Sequence, residues 1–145
     1  FITWFFAIID TKNKKITYSR AGHEPGLILR ATTDEKGVGA SKIEELHGGG
    51  MAVGMVPCEI FDEMIEDHET NFENGDCLLL YTDGVTEATN DEGEEFGIKN
   101  LENFATTNCN LSPKKLNRKL ISKLDSFSSS QFERDDITLL TIKKT

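Results

Sequence analysis

The chain has 145 residues, 37% of them hydrophobic, and its 25 acidic and 16 basic side chains give a net charge of −9. That length suits one domain with a core of its own, and the acidic balance argues against a nucleic-acid binder, because phosphate contact needs a basic face. No segment approaches the roughly 18 apolar residues of a membrane span.

The pattern opens as antiparallel sheet. Phe1 to Asp10 reads as one strand, Thr11 to Lys14 as a turn, and Lys15 to Ser19 as the start of a returning strand. Ala21 to Gly26 is a Gly/Pro loop, after which Leu27-Ile28-Leu29 resumes as strand. Thr32 to Gly50 is polar and glycine-rich and reads mostly as loop. Met51 to Pro57 is expected to be a short buried segment, and Ile60 to Phe72 a polar-faced strand. Glu73-Asn74-Gly75-Asp76 is a turn signal, leading into the most apolar strand, Cys77 to Thr82.

The period then changes. Phe96, Ile98, Leu101 and Phe104 fall at helical spacing within Glu94 to Thr106. Ser112-Pro113 predicts a second helix start, with Ser at the cap and Pro in the first turn. Leu116, Leu120, Ile121 and Leu124 form its apolar stripe, while Lys114, Lys115, Arg118, Lys119 and Lys123 read as a solvated face. Ser126 to Arg134 is a polar loop centred on Ser128-Ser129-Ser130, and Ile137 to Ile142 is the last strand. Strands first, then two helices and a closing strand, predict an α+β fold. Three scattered cysteines, Cys58, Cys77 and Cys109, fit neither a disulfide framework nor a zinc pattern. A reducing cytoplasm is the expected compartment. His23, His47 and His68 show no metal-ligand spacing.

Two junctions carry carboxylates. Asp83-Gly84 ends an apolar strand, and Asp135-Asp136-Ile137-Thr138 begins one. If those strands are neighbours, Asp83 and Asp135 converge at one end of a sheet. Converging carboxylates repel unless a cation or a proton lies between them. Hard oxygen donors would favour Mg²⁺ or Mn²⁺. Gly84 removes a Cβ beside the site. Each junction alone is also an ordinary turn. The run from Leu78 to Val85 superficially matches the aspartyl-phosphate motif of haloacid dehalogenases, but Tyr81 stands where the nucleophilic Asp is needed.

The motifs occur in a fixed order: Ala21-Gly22-His23-Glu24-Pro25, Gly54, Asn74-Gly75-Asp76, Tyr81-Thr82-Asp83-Gly84-Val85-Thr86-Glu87-Ala88, Phe96-Gly97 and Asp135-Asp136-Ile137-Thr138-Leu139. This order resembles the metal-dependent protein phosphatases (PPM, type 2C). It is most similar to the bacterial branch of stage II sporulation protein E and the stress-response sigma-factor regulators. The resemblance implies a β-sandwich of two antiparallel sheets flanked by helices. It implies Asp83 and Asp135 as metal ligands, with Gly84 and Asp136 beside them and Asp136 orienting its neighbours. It implies two Mn²⁺ or Mg²⁺ ions in the complete domain, activating water for attack on phosphoserine or phosphothreonine. It places His23 in a turn near the active site, where a catalytic role and a hydrogen-bonded loop role stand side by side. Thr82 and Thr86 are expected to be structural, and Glu87 either points at the site or caps the next segment. The implied partner is a phosphorylated anti-anti-sigma (STAS-type) protein, met in the cytoplasm or by the cytoplasmic domain of a longer sensor.

The family's upstream Asp-x-x-Gly-His-Gly-like motif has no counterpart in these residues, and the chain opens on Phe1-Ile2-Thr3 without Met. The expectation is therefore the C-terminal portion of a single phosphatase domain, spanning 1–145 and incomplete at the N-terminus. Such a piece should have little activity of its own and, with sheet edges and core uncovered, should self-associate, exchange strands or partly remodel its sheet. The competing expectation is a degenerate, non-catalytic domain that binds a phosphoprotein or relays a signal; a structural metal-binding domain is a third.

Overall fold

The computed structural model describes residues 1–34, 37–128 and 135–145. Its strands are β1 (Trp4–Asp10), β2 (Lys15–Ala21), β3 (Gly26–Asp34), β4 (Gly37–Leu46), β5 (Asp67–Asn71), β6 (Cys77–Tyr81) and β7 (Leu139–Lys143). Its helices are α1 (Cys58–Met64), α2 (Gly97–Asn108) and α3 (Pro113–Phe127). The strands form two antiparallel sheets, ordered β1-β2-β5 and β4-β3-β6-β7.

The apolar run of β6 follows from its place in the stack. Leu79 pairs with Leu27, and Leu78 with Ile28. Leu27, Leu29, Leu79 and Tyr81 pack with Leu101, Leu116, Leu120 and Leu124 of α2 and α3. Ile28 and Leu78 point the other way, to Ile16, Tyr18, Phe72 and Leu46 between the sheets. Both faces of β6 and of the 26–29 part of β3 are buried or nearly so, and these stretches show no polar alternation. In the three-stranded sheet, β1 has one face packed and the other exposed among the described residues. Phe5, Ala7 and Ile9 face the inter-sheet core, while Trp4, Phe6 and Ile8 are exposed on the opposite face.

A charged clasp joins the sheets at the end away from Asp83. Arg30 of β3 donates to Glu44 of β4 and to Asp76 before β6. It also donates to the Thr70 hydroxyl and the Asn71 carbonyl of β5. The second Asp76 oxygen accepts from the Ala31 amide at 2.9 Å.

Several expected boundaries shift. The stretch expected as loop from Thr32 to Gly50 contains the end of β3 and all of β4, because backbone pairing with β3 sustains a strand that its weak pattern hides. Ile60 to Phe72 is not one strand: α1 occupies its start and β5 its end. Glu59 in the first turn favours that helix start. Within Met51 to Pro57 only Ala52 is buried, and Val53 and Met55 are exposed. The first strand begins at Trp4, with Ile2 bridging to Val53 instead. Ser112 takes the N-cap backbone geometry of α3 without a side-chain cap bond. Of the polar loop expected from Ser126 to Arg134, residues 129–134 lie outside the described part.

Candidate metal centre

The two carboxylate junctions meet because β6 and β7 are neighbours. The ladder runs from Cys77 opposite Lys143 to Tyr81 opposite Leu139. Beyond it, the chain leaving β6 enters a single 3₁₀ turn, Asp83–Val85. The chain approaching β7 carries Asp135 and Asp136. Three hydrogen bonds extend the contact past the last pair. The Thr82 amide donates to the Thr138 carbonyl at 3.2 Å. The Thr82 hydroxyl donates to the Asp136 carbonyl at 2.8 Å and accepts from the Thr138 amide at 2.9 Å.

Gly84 is buried against the same segment. A Cβ there would lie 2.7 Å from the Asp136 carbonyl oxygen and 3.0 Å from that of Asp135. Its missing side chain admits the backbone of the Asp135–Asp136 segment. Asp83 and Asp135 are exposed and use one carboxylate oxygen each in a local bond, Asp83 to the Gly84 amide and Asp135 to the Asp136 amide. The remaining oxygens are hard donors at the surface.

The local field is strongly negative. The Glu87 carboxyl is held above its ordinary pKa, first by the charge of Asp83, then by lost hydration, Glu95, Asp135 and Glu24. Glu87 thus senses both junctions, and its amide donates to the Asp83 carbonyl at 2.8 Å. Its side chain belongs to the acidic surroundings of the site, which the sequence left open.

His23 lies on the adjoining turn. It lines a pocket of about 60 Å³ with Thr3, Gly22, Glu24, Thr82 and Asp83. Its Nδ1 is 3.0 Å from the Glu24 carbonyl oxygen, and its ring meets Phe5 edge-on at 6.3 Å. Arg20 holds this turn by donating to the His23 and Gly48 carbonyls. Gly22 has φ +65°, and a Cβ there would be 2.8 Å from the Ala52 amide nitrogen, so glycine is required at the turn. The structure therefore brings Asp83, Gly84, Asp135, Asp136 and His23 to one end of the sandwich.

The donor set suits a hard divalent cation in chemistry but is small. Among the described residues, no group of three or more His, Cys, Asp or Glu side chains is placed to hold a metal ion. Two acidic ligands with water would make a weak site. Also among the described residues, no helix is long and apolar enough to cross a membrane.

Two antiparallel sheets carrying helices, with acidic junctions at one end, define the fold of the PPM-type phosphatase domains. The SiaA-PP2C domain of Pseudomonas aeruginosa matches with a TM-score of 0.77 at 18% identity, over 99% of this chain and 52% of that one. The phosphatase domain of SpoIIE from Bacillus subtilis (Mn presoaked) matches with a TM-score of 0.64 at 19% identity, over 98% and 56%. The sequence model of the stage II sporulation protein E (SpoIIE) family matches residues 1–145, and the chain belongs to that family. Protein IcfG of Synechocystis is 34% identical over 98% of this chain and 20% of its own length. Phosphoserine phosphatase RsbU of Bacillus subtilis is 29% identical over 64% of this chain and 24% of its own length. The chain thus spans about a quarter or less of these relatives.

Proposed function

We propose that residues 1–145 are the C-terminal portion of a metal-dependent serine/threonine protein phosphatase domain. The observation that supports this is the β6–β7 junction, where the Asp83–Gly84 turn meets the Asp135–Asp136 segment and His23 lines a pocket with Asp83. Family membership supports the phosphatase class. The name of the relative RsbU supports phosphoserine as the substrate group, and the manganese soak of the SpoIIE domain supports Mn²⁺ or Mg²⁺ as cofactor.

In this reading Asp83 and Asp135 hold the metal. Asp136 and Gly84 fix the approach of the Asp135 segment. Glu87, Glu24 and Glu95 deepen the negative potential that draws a cation in. When bound, divalent ions supply an activated water and neutralise the phosphate, so an acidic protein can accept an anion. His23 stands at the pocket wall, positioned to hydrogen-bond a phosphate oxygen or the leaving hydroxyl. The bare chain 1–145, with two acidic ligands, is inactive or nearly so. The proposed partner is a phosphorylated anti-anti-sigma protein of the STAS type, and the proposed compartment is the cytoplasm.

The test is hydrolysis of a phosphoserine peptide by the intact protein with Mn²⁺. The expected result is turnover that falls at least about 100-fold in Asp83→Asn and in Asp135→Asn. Metal-independent turnover, or full activity in both variants, would contradict the reading. Turnover by chain 1–145 alone would overturn the claim of its inactivity.

A further inference from the structure

We infer that Thr82 is a positioning residue for the two metal-binding carboxylates, acting through its side-chain hydroxyl. The inference rests on the metal-site reading above. Thr82 immediately precedes Asp83, and Asp136 immediately follows Asp135. Regular pairing of β6 with β7 stops at Tyr81 and Leu139. Past that pair the Thr82 hydroxyl is a side-chain link between the two segments. It donates to the Asp136 carbonyl at 2.8 Å and accepts from the Thr138 amide at 2.9 Å. One oxygen thus serves as both donor and acceptor, which a hydroxyl does and an aliphatic side chain cannot.

Two further observations give this link a task. The β6–β7 junction puts the carboxylate-bearing Asp83 turn against the Asp135–Asp136 segment, and like charges on adjoining segments repel. Like charges on the two segments favour their separation when no cation lies between them. Gly84 permits their close approach but supplies no attraction, since a Cβ there would be 2.7 Å from the Asp136 carbonyl oxygen. Attraction comes from the two Thr82 hydroxyl bonds, beside the backbone bond from the Thr82 amide to the Thr138 carbonyl. The hydroxyl bonds lie at the surface, where water can replace them at small cost to overall stability. What water cannot replace is the fixed spacing, and fixed spacing lowers the ordering a metal must impose on its ligands.

Thr82→Val keeps the shape and removes both hydroxyl bonds, whereas Thr82→Ser keeps them. Mn²⁺ affinity is measured by calorimetry on the intact protein, beside Asp83→Asn. The expected result is affinity weakened about 10-fold or more in Thr82→Val, near normal in Thr82→Ser and lost in Asp83→Asn. Turnover of Thr82→Val should recover at saturating Mn²⁺, because the hydroxyl acts on ligand spacing and not on the phosphate. Unchanged affinity in Thr82→Val with loss in Asp83→Asn overturns the positioning role and leaves the metal site standing. Unchanged affinity in Asp83→Asn overturns both. Amide hydrogen exchange of the unsubstituted, metal-free protein needs no variant. The Thr138 amide should be protected although it precedes β7, and exchange at the rate of a free amide overturns the inference.

Discussion

Arg30 Nη1 lies 2.7 Å from Asp76 Oδ2, and this pair fastens the turn before β6 to the middle of β3. The Asp76 side chain is 3% exposed and that of Arg30 is 19% exposed, so removing one partner strands a charge. Arg30→Met is expected to destabilise the fold by about 3 kcal/mol, the low end for a broken buried pair. The reason for the low end is that Asp76 keeps the Ala31 and Glu73 amides as donors. Denaturant unfolding checks the value, and a change below about 0.5 kcal/mol, the size of an exposed pair, would show the clasp to be ornamental.

The same guanidinium makes stability depend on acid. Burial alone would raise the Glu44 pKa, but hydrogen bonds from Arg30 and Thr70 outweigh it and hold the carboxyl below its ordinary 4.5. A group with a depressed folded pKa stabilises the fold fully above its unfolded value. That stability is lost as pH falls through the lower, folded value. Stability should therefore drop below about pH 4.5, and Glu44→Gln should flatten that part of the curve. Identical acid profiles for the two proteins would remove Glu44 from the account.

Gly84→Ala tests the close approach at the site. The new Cβ would meet backbone at 2.7 and 3.0 Å, and backbone cannot turn aside as a side-chain tip can. The expected outcome is a loss of about 1–3 kcal/mol, the usual cost of overpacking, together with weaker Mn²⁺ binding. A fully stable variant with normal metal affinity would show that the Asp135–Asp136 segment is free to retreat.

The outer face of β1 predicts self-association of chain 1–145. Trp4, Phe6 and Ile8 are 38%, 49% and 57% exposed on the outer face of β1. Contiguous apolar surface of this kind on an edge strand seeks a partner. Light scattering after size-exclusion chromatography should report a species larger than 16.2 kDa, reduced to monomer by Phe6→Lys with Ile8→Lys. A monomer at high concentration without those substitutions would count against the prediction.

What the sequence made legible was local. The Cys77 to Tyr81 run announces a strand buried on both faces, and Asp83-Gly84 announces the turn that ends it. Of the helical stripe read in α3, Leu116, Leu120 and Leu124 are buried, while Ile121 is exposed. What stayed hidden depends on residues far apart in the chain. Thr82 meets Asp136 across 54 positions and Thr138 across 56, and Arg30 meets Asp76 across 46. A lone arginine inside Leu27-Ile28-Leu29-Arg30 was the available signal for the second, since a charge among apolar strand residues needs a partner. Strand β4 was missed because pairing with β3, and not its own pattern, holds it in place. Helix α1 was read as strand because it is short and none of its residues is buried, so the periodic signal of a core-facing helix is absent.

The central claim is that Asp83 and Asp135 together hold a divalent metal. Titration of the intact protein with Mn²⁺, followed by calorimetry, tests it most directly beside Asp83→Asn and Asp135→Asn. Saturable binding that either substitution weakens by at least about 100-fold is the predicted result. Binding of unchanged strength and stoichiometry in both variants would contradict the account.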